Sequence, residues 1–232
     1  MKYVIISPLA PKPFLALLES EECQPIFTKE QKNFPLPERY HADLQCFAPD
    51  EKTVIVTPDL YEYYQACLKE TDVTVLSGKT QSDGHYPSRI AYNVAKVGNT
   101  AFCLEKALDG RIREELEKRN VSICNVSQGY AACSVVGVSE NALITSDKSI
   151  AKAAESGGFD CLYLSPEEIL LPGFDHGFIG GCVSKIRPNL FAVSGSQLPN
   201  SFLAFFEKHG ATLLSVSGQL YDFGGSISPE GK

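Results

Sequence analysis

The order of apolar and polar positions repeats five times along the chain. Each copy starts with a short apolar run of β type, passes through a polar residue or a proline into a segment with helical spacing, and ends in a second apolar run. The copies begin at Val4, Val54, Ala101, Ala142 and Leu190. The second runs read QPIFTK, VTVLSG, VSICNVS, CLYLS and TLLSVSG. Self-similarity at this spacing predicts five copies of one structural unit.

Four of the five copies are preceded by one more strand-like run. These runs are HADLQCF from His41, YNVAKVG from Tyr92, AACSVVGV from Ala131 and GFIGGCVSK from Gly177. The unit is therefore strand, strand, helix, strand. The first copy lacks its leading strand, and a matching run, Tyr221–Ser228, stands at the other end of the chain.

Pairing of that last strand with the first would close a ring without an exposed sheet edge between units. We therefore predict an α/β fold, a closed five-bladed ring of ββαβ repeats with pseudo-fivefold symmetry (an α/β propeller). The two termini complete one unit, and residues 1–232 form a single domain. A doubly wound sheet is the alternative, but it leaves the second strand before each helix unexplained.

Composition narrows the function classes. The formal net charge is −7, and nucleic-acid binders usually concentrate Lys and Arg, so no nucleic-acid partner is expected. No apolar run approaches 18 residues, so no membrane span is expected, and the apolar start ends at Pro8, which is short for a signal peptide. The eight cysteines form no CxxC pair, which is typical of reduced, buried thiols. We expect a cytoplasmic protein that needs no metal or other cofactor.

The ring of ββαβ units resembles the pentein fold, also called the guanidino-group modifying enzyme fold. The phrases HADLQ, QGYAACSV, LITSDKSI, LPGFDHGFIGG and DFGGSISP resemble an uncharacterised bacterial family of that fold. The resemblance implies chemistry on guanidine groups, in which a cysteine attacks the guanidinium carbon, a histidine of a His-x-Asp phrase moves protons and carboxylates hold the cation. The fold also includes a non-enzymatic ribosome anti-association factor.

Cys133 and His41 are the predicted catalytic residues. Family enzymes carry their cysteine after a Gly-rich phrase near the C-terminus, where this chain has Gly224-Gly225-Ser226 instead. Cys133 follows a glycine phrase about two repeats after His41, so the ring order is kept if the chain is cut at a different unit. A thiolate is a strong nucleophile, and a nearby cation lowers the pKa of its thiol. We expect His41 to lead a strand and to share one strand face with Asp43.

Four residues are predicted to hold the substrate, a small cationic guanidino compound. Asp43, Asp175 and Asp222 offer carboxylates that match the planar donor fork of a guanidinium group. Asn93 occupies the corresponding position in the unit between His41 and Cys133.

Three functions follow from these residues. The first is a hydrolase or transferase that acts on a guanidine or amidine group through Cys133. The second is a non-catalytic binding module of the same fold, since a fold alone does not imply chemistry. The third is a metal-dependent hydrolase that uses His41, Asp43 and Asp222. Oligomeric state and substrate identity do not follow from the sequence.

Overall fold

Five three-stranded sheets, each covered by a helix, make up the structure, a computed structural model that describes residues 2–229. The strands are β1 (Lys2–Ile6), β2 (Cys23–Phe27), β3 (Cys46–Asp50), β4 (Thr53–Val56), β5 (Thr74–Ser77), β6 (Ala95–Val97), β7 (Thr100–Cys103), β8 (Ser122–Asn125), β9 (Val135–Ser139), β10 (Ala142–Thr145), β11 (Asp160–Tyr163), β12 (Val183–Arg187), β13 (Leu190–Val193), β14 (Thr212–Ser215) and β15 (Ser226–Ile227). The α-helices are α1 (Lys12–Ser20), α2 (Tyr61–Leu68), α3 (Gly110–Lys118), α4 (Ala131–Ser134), α5 (Lys148–Ser156) and α6 (Asn200–Lys208).

Every sheet has the same topology. A leading strand pairs antiparallel with the middle strand, which pairs parallel with the trailing strand across a helical connection. In the first sheet the leading strand is β15, whose Ile227 and Ser226 face Ile5 and Ile6 of β1. The predicted ββαβ repeat and its completion by the two ends of the chain are confirmed.

Apolar side chains join each sheet to the next. One cluster links the first sheet to the second through Ile5 and Val54, and others continue round through the third and fourth sheets. A further cluster joins Val4 of the first sheet to Ile186 of the fifth. Burial of one such side chain stabilises the folded state by about 1.5–3 kcal/mol. Five clusters, one between each sheet and the next, therefore hold the units in a ring.

The middle strands explain why the sequence runs are so apolar. All four residues of β4 and of β10 are buried, because each middle strand lies between two strands and is covered on both faces. The turn into α5 is capped by Asp147, whose carboxylate accepts hydrogen bonds from the backbone N–H of Ser149 (2.8 Å) and Ile150 (2.9 Å). Within residues 2–229, no helix has both the length and the apolar character needed to cross a bilayer.

The predicted start of the leading strands is wrong. Where the sequence predicts strand from the first residue, the chain forms a helical turn, at Ala42–Leu44, at α4 and at Ile179–Cys182, and the strand begins afterwards. The physical reason is crowding at the ring axis. Gly180, for example, packs so closely on the carbonyl groups of Ala132 and Cys133 that a side chain there would overlap them. His41, Cys133 and Asp222 therefore precede their leading strands.

Candidate functional site

The helical turns at one end of the ring bring Cys133, Asp43 and His41 together. The Cys133 thiol donates a hydrogen bond to Oδ2 of Asp43 over 2.7 Å. A ring nitrogen of His41, a carboxylate oxygen of Asp43 and the Cys133 sulfur all lie within 4.8 Å of one another. The three residues are only 2–4% exposed. The prediction that His41 and Asp43 share one strand face is wrong, because Asp43 lies inside the helical turn that His41 begins.

Asn93 fixes the distance between the thiol and its carboxylate partner. Its amide nitrogen donates to the Cys133 sulfur (3.3 Å) and to the backbone carbonyl of Asp43 (3.2 Å), and its oxygen accepts from the backbone N–H of Ala132 (2.7 Å). One buried amide therefore ties two units of the ring together beneath the site. These contacts occupy both ends of the Asn93 amide.

Asp222 lies beside His41 in the unit completed by the termini. Its carboxylate accepts hydrogen bonds from the backbone N–H of Phe178 (2.8 Å) and of Gly224 (2.9 Å). Gly224 has φ +81° and packs on the His41 side chain, while a side chain at Gly181 would overlap the Asp222 carboxylate. The glycine phrases near 180 and 224 thus make room for this side chain.

Three residues outside the predicted set, Glu38, Arg89 and Tyr130, form one wall of the site. Arg89 lies 2.8 Å from the Glu38 carboxylate (Nε to Oε2), and its Nη2 donates to the Tyr130 hydroxyl over 2.6 Å. Burial raises the pKa of Tyr130 to about 12, so this hydroxyl stays protonated. Glu38 and Arg89 stand outside the predicted strands and helices, so the repeat pattern carries no signal for them.

A cavity of about 300 Å³ opens above these side chains, which we call the candidate cavity. Its lining comprises Glu38, His41, Arg89, Tyr130, Cys133, Leu171, Phe174, Asp175, His176, Phe178 and Asp222. The volume is at the small end of the range for ligand pockets. Of the six predicted site residues, His41, Cys133, Asp175 and Asp222 line it, and Asp175 does so from an exposed position at the rim. Asp43 and Asn93 do not line this cavity, but both form hydrogen bonds with Cys133, which does.

The electrostatics of the site favour a cationic ligand. Burial raises the pKa of Asp43 well above its ordinary value and also raises the pKa of Asp222. Burial lowers the pKa of His41, against the opposing charge of Asp222, so the imidazole is neutral near pH 7. Arg89 also lines the cavity, but it is paired with Glu38 and so does not offset the charge of Asp222.

The Cys133 thiol is protonated when the cavity holds no cation. Burial raises the pKa of Cys133 well above its ordinary value, and the charges of Asp43 and Asp222 raise it further. A cation beside the two carboxylates would remove that repulsion and lower the pKa of the thiol.

The same side chains can also hold a metal ion. Within the described residues, the donor atoms of His41, Asp43 and Cys133 lie close enough together to do so. This set contains Cys133, whereas the metal set predicted from the sequence contains Asp222 in its place.

The sequence model of DUF6873, a family of unknown function, matches residues 5–227. A comparison with curated proteins finds no match.

Solved structures of guanidino-modifying enzymes share the fold. A dimethylarginine dimethylaminohydrolase (DDAH) from Pseudomonas aeruginosa, complexed with citrulline, is 12% identical with a TM-score of 0.59, covering 93% of this chain and 92% of that chain. An inosamine-phosphate amidinotransferase from Streptomyces griseus is 13% identical with a TM-score of 0.59, covering 100% and 94%. An agmatine deiminase from C. jejuni is 10% identical with a TM-score of 0.54, covering 99% and 94%. At such low identity these likenesses establish the pentein fold, and the predicted fold is confirmed.

Proposed function

The chain belongs to the DUF6873 family, and from its site we propose that it is an enzyme acting on the guanidine or amidine group of a small cation. The observation that carries the proposal is the contact of the Cys133 thiol with the Asp43 carboxylate beside His41, at the floor of a cavity with an excess of acidic groups. Enzymes of the same fold that act on guanidino compounds support a guanidino compound as the substrate.

Binding comes first. A guanidinium group placed between Asp222 and the Asp43–Cys133 pair would neutralise two buried carboxylates, of which Asp222 otherwise raises the pKa of Asp43. The same cation would stabilise a thiolate at Cys133. Substrate binding is therefore what activates the nucleophile.

Covalent chemistry follows. Asp43 accepts the thiol proton, and the Cys133 sulfur attacks the planar guanidinium carbon to form a tetrahedral adduct. A ring nitrogen of His41 lies within 4.8 Å of the Asp43 carboxylate and the Cys133 sulfur. His41 takes that proton from Asp43 and passes it to the departing amine. Collapse of the adduct breaks the bond from carbon to nitrogen and leaves a thiouronium group on Cys133.

The remainder of the substrate is a cationic or neutral group in this proposal. Arg89 is engaged by Glu38 and Tyr130, so it does not offer a free cation for an α-carboxylate. Asp175 at the rim adds a negative charge. We expect agmatine, which carries an amine at its far end, to be a better substrate than arginine.

The test is product release from a panel of agmatine, arginine and methylated arginines. The parent protein is expected to release ammonia or amine, and Cys133→Ser to lower the rate by about 10³-fold. Cys182→Ser is the matched control, because Cys182 is also buried in a turn beside Asp222 but does not line the candidate cavity. Turnover that persists unchanged in Cys133→Ser would rule out the proposed chemistry.

A binding module without catalysis is the second candidate. It is favoured by the raised pKa of Cys133, which keeps the thiol as a neutral hydrogen-bond donor to Asp43. In that case a guanidino cation binds but no bond breaks, and Cys133→Ser retains the affinity of the parent.

We further propose that the protein works in the cytoplasm, where its eight free cysteines would stay reduced.

A further inference from the structure

A second cavity, of about 280 Å³, lies along the ring axis on the opposite side of Asp43, and we call it the axial cavity. All five leading strands line it, through Ala48 of β3, Ala95 of β6, Val136 of β9, Val183 of β12 and Ser226 of β15. Its inner end is formed by Asp43, Ala132, Gly180 and Gly225. The exposed residues Lys96 and Lys185 mark the end that meets solvent.

Asp43 separates the two cavities. One of its oxygens, Oδ2, accepts the hydrogen bond from Cys133, whose side chain lines the candidate cavity. The residue itself lines the axial cavity. A molecule at the inner end of the axial cavity therefore approaches the carboxylate that contacts the nucleophile, without passing the bound substrate.

Two buried oxygens of the axial cavity require partners. Asp43 Oδ1 and Ser228 Oγ are buried and accept or donate no hydrogen bond within the described residues. Leaving such a group unsatisfied costs about 1–3 kcal/mol. A water needs only about 10–15 Å³ of such space and two or more polar partners, so this cavity has room for several. Water in this cavity would supply a hydrogen bond to each of these oxygens.

We propose that the axial cavity supplies water as the second substrate, and that the reaction at Cys133 is therefore hydrolysis and not transfer to an amine. This inference rests on the proposed function. Substrate or the departing amine in the candidate cavity lies between Cys133 and the outer solvent, and the axial cavity offers water a separate route to the adduct. The adduct carbon is one bond from the Cys133 sulfur, which is itself 2.7 Å from Asp43.

The second half-reaction then balances. Water held by Asp43 gives a proton to that carboxylate while its oxygen bonds to the thiouronium carbon. The bond from carbon to sulfur breaks, its electron pair stays on sulfur, and the proton on Asp43 returns to Cys133. The second proton of the water leaves through His41 to solvent as the carbonyl of the product forms. The product is the corresponding urea, and no oxidant, reductant or further reactant is needed.

The experiment uses cyanamide, which adds across a thiol to give the simplest thiouronium adduct and needs no leaving amine. Intact-protein mass spectrometry follows formation of the adduct on Cys133 and then its loss as urea after excess cyanamide is removed. Heavy-oxygen water marks the urea oxygen. The full-length parent is compared with Ala48→Met, which fills the axial cavity, and with Ala48→Ser, which keeps it open. Ser228→Leu blocks the cavity at a second position.

Both filled variants are expected to form the adduct at the parental rate and to lose it about tenfold more slowly, while Ala48→Ser matches the parent. Equal rates of loss in all four proteins, or an adduct that the parent does not hydrolyse, would overturn the axial supply of water. Failure of Cys133 to form any adduct would instead overturn the proposed function. If Ala48→Met does not fold, as judged by its circular dichroism, Ser228→Leu alone decides.

Discussion

The sulfur of Cys133 and the carboxylate of Asp43 lie 2.7 Å apart although the two residues belong to different units of the ring. In a buried site, this contact suppresses ionisation of the thiol and at the same time offers an acceptor for its proton. The reactivity of Cys133 therefore depends on whether a cation is present to offset the charge of Asp43.

Replacing Asp43 should separate thiol acidity from catalysis. Asp43→Asn removes a negative charge that raises the pKa of Cys133, so the pKa of this thiol should fall and its alkylation by iodoacetamide should begin at lower pH. Turnover of a guanidino substrate should nevertheless fall by about 10²-fold or more, because the proton acceptor is lost. Peptide mapping of the alkylated cysteine measures the first effect. An unchanged or raised pKa would contradict the assigned coupling.

The same substitution should change how stability depends on pH. The pKa of Asp43 is raised by burial, so between the ordinary value of 3.8 and the raised value the folded state keeps a proton that the unfolded chain has released. Its stabilising contribution is complete below pH 3.8 and is lost as pH rises through the folded pKa. The free energy of unfolding of Asp43→Asn, relative to the parent, should therefore increase with pH by up to about 1.4 kcal/mol per unit in that window. Urea denaturation at a series of pH values measures it, and a difference that is flat with pH would argue against a raised pKa.

A side chain at Gly181 should distort the site. Its Cβ would overlap the Asp222 carboxylate, so Gly181→Ala should destabilise the protein by about 1–3 kcal/mol and displace Asp222 from His41. Gly157→Ala is a suitable control, because a Cβ there meets its neighbours at ordinary distances of 3.4–3.5 Å. Thermal unfolding and agmatine binding by calorimetry report the two effects. Equal behaviour of both variants would show that Asp222 is not held as described.

The pairing of Glu38 with Arg89 should set substrate preference. Glu38→Gln removes the carboxylate that neutralises Arg89, which then offers its charge to an α-carboxylate. The ratio of kcat/KM for agmatine over arginine should fall by about tenfold relative to the parent. Arg113→Gln, which breaks the exposed ion pair with Glu105, should leave the ratio unchanged. A ratio that does not respond to Glu38→Gln would remove Arg89 from the account of specificity.

The ring could be predicted from the sequence because each unit repeats its pattern, including the strand at Tyr221–Ser228 that completes the first. Spacing by whole repeats also placed His41, Cys133 and Asp222 in equivalent positions. The pattern predicts strand at Ala42–Leu44 and at α4, where the structure has turns, because these residues run without a break into the apolar strands that follow.

Other parts of the site could not be predicted. Glu38 and Arg89 come from connections that differ between units, and only closure of the ring brings them to Tyr130. The contact of Cys133 with Asp43 likewise depends on how two turns pack at the axis. Periodicity reports which face of an element is buried, and it carries no information on these contacts.

The central claim, that Cys133 forms the covalent bond to the substrate carbon, is tested most directly by stopping the reaction with acid during turnover of agmatine and mapping the peptides by mass spectrometry. The account predicts an amidino-type adduct on the peptide that contains Cys133 and on none of the other seven cysteines. Turnover without an adduct on Cys133, or an adduct carried by a different cysteine, would contradict it.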